Sequence, residues 1–137
     1  VISEWNAEIT EGLKEGAIEV LLECGTYSRD ILTEYVPGTF ELPLGAQFLL
    51  ESKGVDAVIA IGCVVRGETA HFDYVCQGAT HGIQEVGLHY NKPVMFCVLT
   101  DDTIEQSRAR SGGKYGNKGI EAAIGALKML SLKDKYK

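Results

Sequence analysis

The sequence predicts an α/β domain, a three-layer sandwich in which a four-stranded parallel sheet is flanked by helices on both faces. Three observations predict it. The runs "DAVIAIGCVV" (56–65) and "KPVMFCVLT" (92–100) are continuously apolar and rich in β-branched residues, the pattern of strands covered on both sides. Stretches with helical spacing separate the strand-like runs, so that strand and helix alternate along the chain. With 137 residues, 45% hydrophobic and 23% charged, the chain is long and apolar enough for one sizeable core, hence a single domain over 1–137.

From the amino end, residues 1–2 read as the fragment of a first strand, too short to be a buried strand by itself. The alternation nevertheless demands a strand there, and no methionine opens the chain, so an amino-terminal piece with most of the first strand is expected to be missing from it. Residues 9–22 have helical spacing. "ILTEYV" (31–36) is a weaker strand, stopped by Pro37 and Gly38. "VPGTFELP" (36–43) is a turn leading into a helix over 42–50, with Pro43 in the first turn, where a missing N–H does no harm. Further helices are expected over 74–88 and 122–130, and the Gly-rich "SGGKYGNKG" (111–119) reads as a loop, flexible or ligand-binding.

Right-handed crossovers make such a sheet open, with ligands beyond the carboxyl ends of its strands. Four stretches then share one rim: "SEWN" (3–6), "VPGTFELP" (36–43), "GCVVRGETAHFDYV" (62–75) and "LTDDTIEQ" (99–106).

Charge and composition narrow the function. A formal net charge of -6 argues against nucleic acid as a partner, and no apolar run is long enough for a membrane span. The four cysteines form neither a CxxC pair nor a short disulfide framework and are read as reduced, which suits a cytoplasmic protein. The three histidines, His71, His81 and His89, lack cysteine or acidic partners at ligand spacing, so zinc is not expected.

On the rim, Gly67 allows close backbone approach, and Glu68 and Thr69 stand where a helix begins, so their amides can face an anion; equally, Thr69 can simply cap the helix. His71 is either a solvated helix-start residue or a proton carrier with a pKa near neutral. Arg110, in a stretch with Lys114 and Lys118, is a solvated cation or the fork that completes a phosphate site. Trp5, beside Asn6, packs into the core or stacks on a planar heterocycle, and Phe40 and Glu41 can line the same cavity. The residues alone therefore suggest a pocket for a planar, hydroxylated molecule and a phosphate.

The motifs "EWN", "VPGTFELP", "GCVVRGETAHFDYV", "KPVMFCVLT" and "EQSRARSGGKYGNKGIEAA" stand in the order and at the spacing of one family. Over nearly its whole length the chain resembles the 6,7-dimethyl-8-ribityllumazine synthases of riboflavin biosynthesis. The resemblance implies a flavodoxin-like sheet and a transferase that uses no metal or organic cofactor. It would join 5-amino-6-(ribitylamino)uracil to 3,4-dihydroxy-2-butanone 4-phosphate, releasing phosphate and water. By resemblance, Trp5 stacks on the pyrimidine with Asn6 beside it, and Thr39, Phe40 and Glu41 hold the ribityl chain and its flank. Cys63, Val64 and Val65 lie along the pyrimidine, Phe96 meets the heterocycle through its backbone, and Lys114 is a basic residue near the site. Glu68 and Thr69 cradle the phosphate, Arg110 clamps it, and His71 relays protons. The resemblance also implies pentamers, packed in some members into an icosahedral shell, with active sites at subunit interfaces and riboflavin synthase as a candidate partner. The rival readings are a flavin-binding protein without catalysis, a structural cage, and a signalling receiver. Asp101 and Asp102 are too few for the acidic cluster that the last would need.

Overall fold

A computed structural model describes residues 1–52 and 54–137. The elements run β1 (Ile2–Ser3), α1 (Ala7–Glu23), β2 (Tyr35–Val36), α2 (Leu42–Glu51), β3 (Val58–Val65), α3 (His71–Tyr90) and β4 (Val94–Asp101). There follow α4 (Ile104–Arg110), a hairpin of β5 (Ser111–Gly113) and β6 (Gly116–Asn117), and α5 (Lys118–Lys135). Strands β1 to β4 form one parallel sheet in the order β2-β1-β3-β4, the flavodoxin-like arrangement in which the first strand lies between the second and third.

The period of two along β3 and β4 sorts the core into two layers. Val58, Ala60 and Val98 face Leu42, Ala46 and Leu50 of α2 and Ile83 and Val86 of α3. The alternate residues Ile61, Cys63, Cys97 and Leu99 face Ile9 and Leu13 of α1 and Ala122 of α5. Each strand is apolar on both sides because each side meets helices. On the second face α1 and α5 close tightly, since a Cβ at Gly119 would collide with the carbonyl of Leu13. Substituting that glycine therefore means separating two helices.

Several boundaries differ from the expected ones, for physical reasons. The first strand is short but fully buried at the centre of the sheet, with Ile2 opposite both Tyr35 and Ile61. Pairing on both sides, not length, makes it a core strand. The second strand narrows to Tyr35–Val36, with the Glu34 carbonyl accepting the Ile2 N–H at 2.9 Å, and residues 31–33 stay outside the ladder. The region 103–110 folds as a helix that its charged composition does not advertise. A capping box starts it: Thr103 accepts the Gln106 N–H, while the Gln106 side chain accepts the Thr103 N–H. Part of the expected Gly-rich loop pairs as the β5–β6 hairpin. No helix among the described residues is long and apolar enough to cross a membrane.

Candidate active site

Parallel strands send all four carboxyl ends to one rim, and long-range contacts fix the loops there. Asn6 adopts left-handed backbone angles, φ 57° and ψ 50°, a conformation asparagine tolerates better than most residues. Its carbonyl accepts the Ile9 and Thr10 N–H groups at 2.9 and 3.1 Å, starting α1. Its side-chain amide donates to the Cys63 carbonyl at 2.9 Å, tying the β1–α1 turn to the end of β3. Trp5, held by this turn, is 72% exposed and so is not a core residue. A Cβ at Gly38 would lie 3.1 Å from a Glu41 carboxylate oxygen and 3.4 Å from Trp5 Cδ1, so the indole and the carboxylate flank that residue together. Thr39 is buried against β3, where a Cβ at Gly62 would approach its hydroxyl to 2.8 Å. Phe40 turns its ring onto α3 at Gly78 while remaining exposed.

The turn from β3 into α3 is the polar part of the rim. Gly67, Glu68, Thr69 and Ala70 are exposed, and their amide N–H groups meet no backbone carbonyl among the described residues. The Thr69 hydroxyl accepts the His71 N–H at 3.4 Å, but the N-cap position of α3 is Ala70, which has no polar side chain to cap with, so Thr69 is not the helix cap. Four free donors thus remain at the amino end of a 20-residue helix, where the aligned peptide dipoles favour negative charge. His71 is the first residue of α3 and is exposed to solvent. Before this turn, Arg66 pairs with Asp102 and Asp73 and lies over the ring of Phe72.

Cys63 offers its carbonyl to the rim, not its sulfur. The thiol donates to the Ser107 hydroxyl at 3.4 Å, and that hydroxyl donates to the Asp101 carboxylate at 2.7 Å. Burial pushes the Cys63 thiol above its ordinary pKa and pushes Cys97 up to about 12. A thiol so raised stays protonated near neutral pH and is a poor nucleophile. Val64 and Val65 complete the strand end, half-buried.

A second group lies on the outer side of β4. There a hollow of about 410 Å³ runs along Met95 to Asp101 and is bordered by Arg110, Lys118 and Glu121. Phe96 is 43% exposed on this strand. Arg110 donates to the Gln106 carbonyl at 2.9 Å and rests 5.0 Å from the centre of the Tyr115 ring, which also takes the Lys114 ammonium at 5.2 Å. Phe96, Arg110 and Lys114 share no hydrogen bond or ion pair with Trp5 or the 67–71 turn among the described residues. A larger hollow, about 750 Å³, opens at the other end of the sheet, beside residues 31–33 and 55–59, and holds none of the candidate residues.

The structure thus gathers Trp5, Asn6, Thr39, Glu41, Cys63 and the 67–71 turn, and leaves Phe96, Arg110 and Lys114 along the outer strand. Sequence reasoning passed over Arg66, Asp73 and Ser107, and weighed Asp102 only as part of an acidic cluster too small for a signalling receiver. The available signal was position: Arg66 and Asp102 each directly follow a buried strand, where a charge needs a partner. No group of three or more histidine, cysteine or acidic residues able to hold a metal occurs among the described residues.

Comparison with known proteins adds to this geometry. Residues 1–134 match the family model described as 6,7-dimethyl-8-ribityllumazine synthase. The chain is 61% identical to the protein of that name from Cytophaga hutchinsonii, over 96% of this chain and 82% of the relative. It is 55% identical to that from Flavobacterium johnsoniae, covering 94% and 68% of the two chains. Against that from Porphyromonas gingivalis, identity is again 55%, covering 96% and 81%.

Proposed function

The chain belongs to the 6,7-dimethyl-8-ribityllumazine synthase family, transferases of riboflavin biosynthesis, and from that premise we propose which reaction its rim performs and with which residues. It condenses 5-amino-6-(ribitylamino)uracil with 3,4-dihydroxy-2-butanone 4-phosphate to 6,7-dimethyl-8-ribityllumazine, releasing phosphate and two waters. The observation that carries this reading is the convergence, on one rim of a chain of this family, of an exposed indole, a carboxylate beside it and a turn of free amide donors.

Trp5 stacks on the pyrimidine, while Thr39, Phe40 and Glu41 hold the ribityl chain. Val64, Val65 and the Cys63 backbone line the ring, and Asn6 orients the turn that carries Trp5. The amides at Glu68 and Thr69 take the phosphate of the butanone, and Arg110 clamps it. The 5-amino group adds to the butanone carbonyl and loses water to form an imine. Phosphate then leaves, and the resulting enol tautomerises to a carbonyl. The ribitylamino nitrogen attacks that carbonyl, and loss of the second water closes the ring. Every step moves protons, and His71, exposed beside the phosphate cradle, relays them. Alignment of two bound reactants can by itself contribute about 7–11 kcal/mol, so His71 accelerates the reaction without being indispensable.

The separation of Phe96, Arg110 and Lys114 from the rim favours a site completed by a neighbouring copy, whose outer strand supplies those three residues. The assembly is then a homo-oligomer, a pentamer by family precedent. An anaerobic absorbance assay with both substrates, following the lumazine chromophore, tests the reading. Protein-dependent formation that weakens in Arg110→Ala through a raised requirement for the butanone phosphate supports it. No formation above the uncatalysed rate, with ligand binding intact, makes this a flavin-binding or shell protein on the same fold.

A further inference from the structure

Arg66 has no part in the reaction described above, yet its side chain joins several elements of the rim. Its backbone N–H donates to the Asp101 carbonyl at 2.9 Å, carrying the β3–β4 ladder past the end of β3. Its guanidinium then points three ways. Nε meets Asp102 Oδ1 at 2.9 Å, Nη1 meets Asp73 Oδ1 at 3.4 Å, and the group lies 4.3 Å from the centre of the Phe72 ring. Asp102 is itself held, because its N–H and that of Thr103 both donate to the Gln106 side chain, at 2.7 and 3.2 Å. Phe72 and Asp73 belong to the first turn of α3. One flat cation therefore links the end of β3, the start of α3 and the β4–α4 turn. Residues 67–70, which carry the free amides, span the gap between two points it holds. Only arginine combines forked donors with a face that stacks on a ring.

We propose that Arg66 is a positioning residue for the phosphate of the butanone substrate: its clasp on Asp102 and Asp73 sets the 67–70 turn so that its amides converge, without touching the phosphate itself. This rests on the phosphate reading given above. A clasp and a simple charge effect differ in sign. If Arg66 acted only through its positive field, removing either carboxylate would make the rim less negative and strengthen phosphate binding. If it acts as a clasp, the same removals loosen the turn and weaken binding.

The test is steady-state kinetics of the full chain with each substrate varied in turn. Arg66→Gln is expected to raise KM for the butanone phosphate about fivefold, with kcat within about twofold and the pyrimidine KM unchanged. Asp102→Asn is expected to raise the same KM about two- to threefold, Asp73→Asn less, since its contact is longer, and Arg66→Lys to fall between Arg66→Gln and the parent. An unchanged or lowered KM in Asp102→Asn overturns the clasp, as does an Arg66→Gln effect shared equally by both substrates. Should Arg66→Gln fail to fold, Asp102→Asn, a change at an exposed position, decides alone. Arg110→Ala runs beside them. No rise in its butanone phosphate KM overturns the phosphate reading and the clasp with it, whereas a rise there with none in Arg66→Gln and Asp102→Asn overturns the clasp only.

Discussion

At the rim, Asn6 reaches 57 residues along the chain to the Cys63 carbonyl, and Arg66 reaches 36 to Asp102. On the outer side of β4, Arg110 reaches four residues back, to Gln106 in its own helix, and shares Tyr115 with Lys114. The two regions are thus built by different rules. Contacts between distant elements fix how backbone segments lie relative to one another, so the rim keeps its shape as long as the fold does. Contacts within one helix and its adjoining hairpin park a side chain without fixing its relation to the rest of a site. On the function proposed here, the outer group takes its final geometry from what packs against β4.

The sharpest break separates the two regions onto different copies. His71→Ala alone is expected to lower kcat about a hundredfold. Arg110→Ala alone is expected to raise the butanone phosphate KM about thirtyfold, the size of a lost charge-assisted pair. When the two variants are unfolded, mixed and refolded together, activity at low butanone phosphate should exceed the sum of the separate preparations, because some sites draw an intact rim from one copy and an intact outer strand from another. Additivity in that mixture would mean that each site is built within one copy.

Asn6 probes how firmly the rim is made. Asn6→Ala removes the donor to the Cys63 carbonyl and places alanine at φ 57°, and should destabilise the fold by about 1–3 kcal/mol and raise the pyrimidine KM. Asn6→Gly keeps the backbone angle without the amide, so the difference between the two variants, read by denaturant midpoint, isolates the strain. If both behave like the parent, the tether is ornamental.

The inner face of β4 should behave like the rim, not like its own outer side. Burial raises the Cys97 thiol from 9.0 to about 12, so between those values the unfolded chain releases a proton that the fold retains. Stability from this group is complete below about pH 9 and is lost as pH rises toward 12. Cys97→Ala should therefore unfold with a smaller alkaline loss than the parent when midpoints at pH 8 and 10.5 are compared. The smallest effect belongs to Lys114: Lys114→Ala should raise the butanone phosphate KM about twofold, and less at high salt, as fits an exposed cation.

Much of the fold was legible because β3 and β4 are apolar on both faces and the helices beside them keep regular spacing. Residues 103–110 were not, since seven helical residues rich in charge show no apolar stripe, although Thr103 and Gln106 stood at capping-box spacing. Nor was the central place of Ile2–Ser3, because pairing with two neighbours leaves no mark on two residues. At the rim, the sequence indicated which loops meet, since parallel strands leave them no other place. It did not indicate what holds them. The partners of Arg66 lie on α3 and the β4–α4 turn, and the Asn6 amide turns to a carbonyl, which no side-chain pattern encodes. By resemblance Asn6 stands beside the ligand; the structure adds that its amide donates to the Cys63 carbonyl, a tie between the turn that carries Trp5 and the end of β3.

The outer side of β4 has one more consequence. Among the described residues no strand pairs with it, so Val94 to Asp101 present a row of backbone donors and acceptors to the surroundings. Such an edge is a template for any extended chain that drifts by. On the homo-oligomer proposed above, a newly made copy carries that edge open until a neighbour covers it, so the lone copy is the form of the chain most exposed to mispairing.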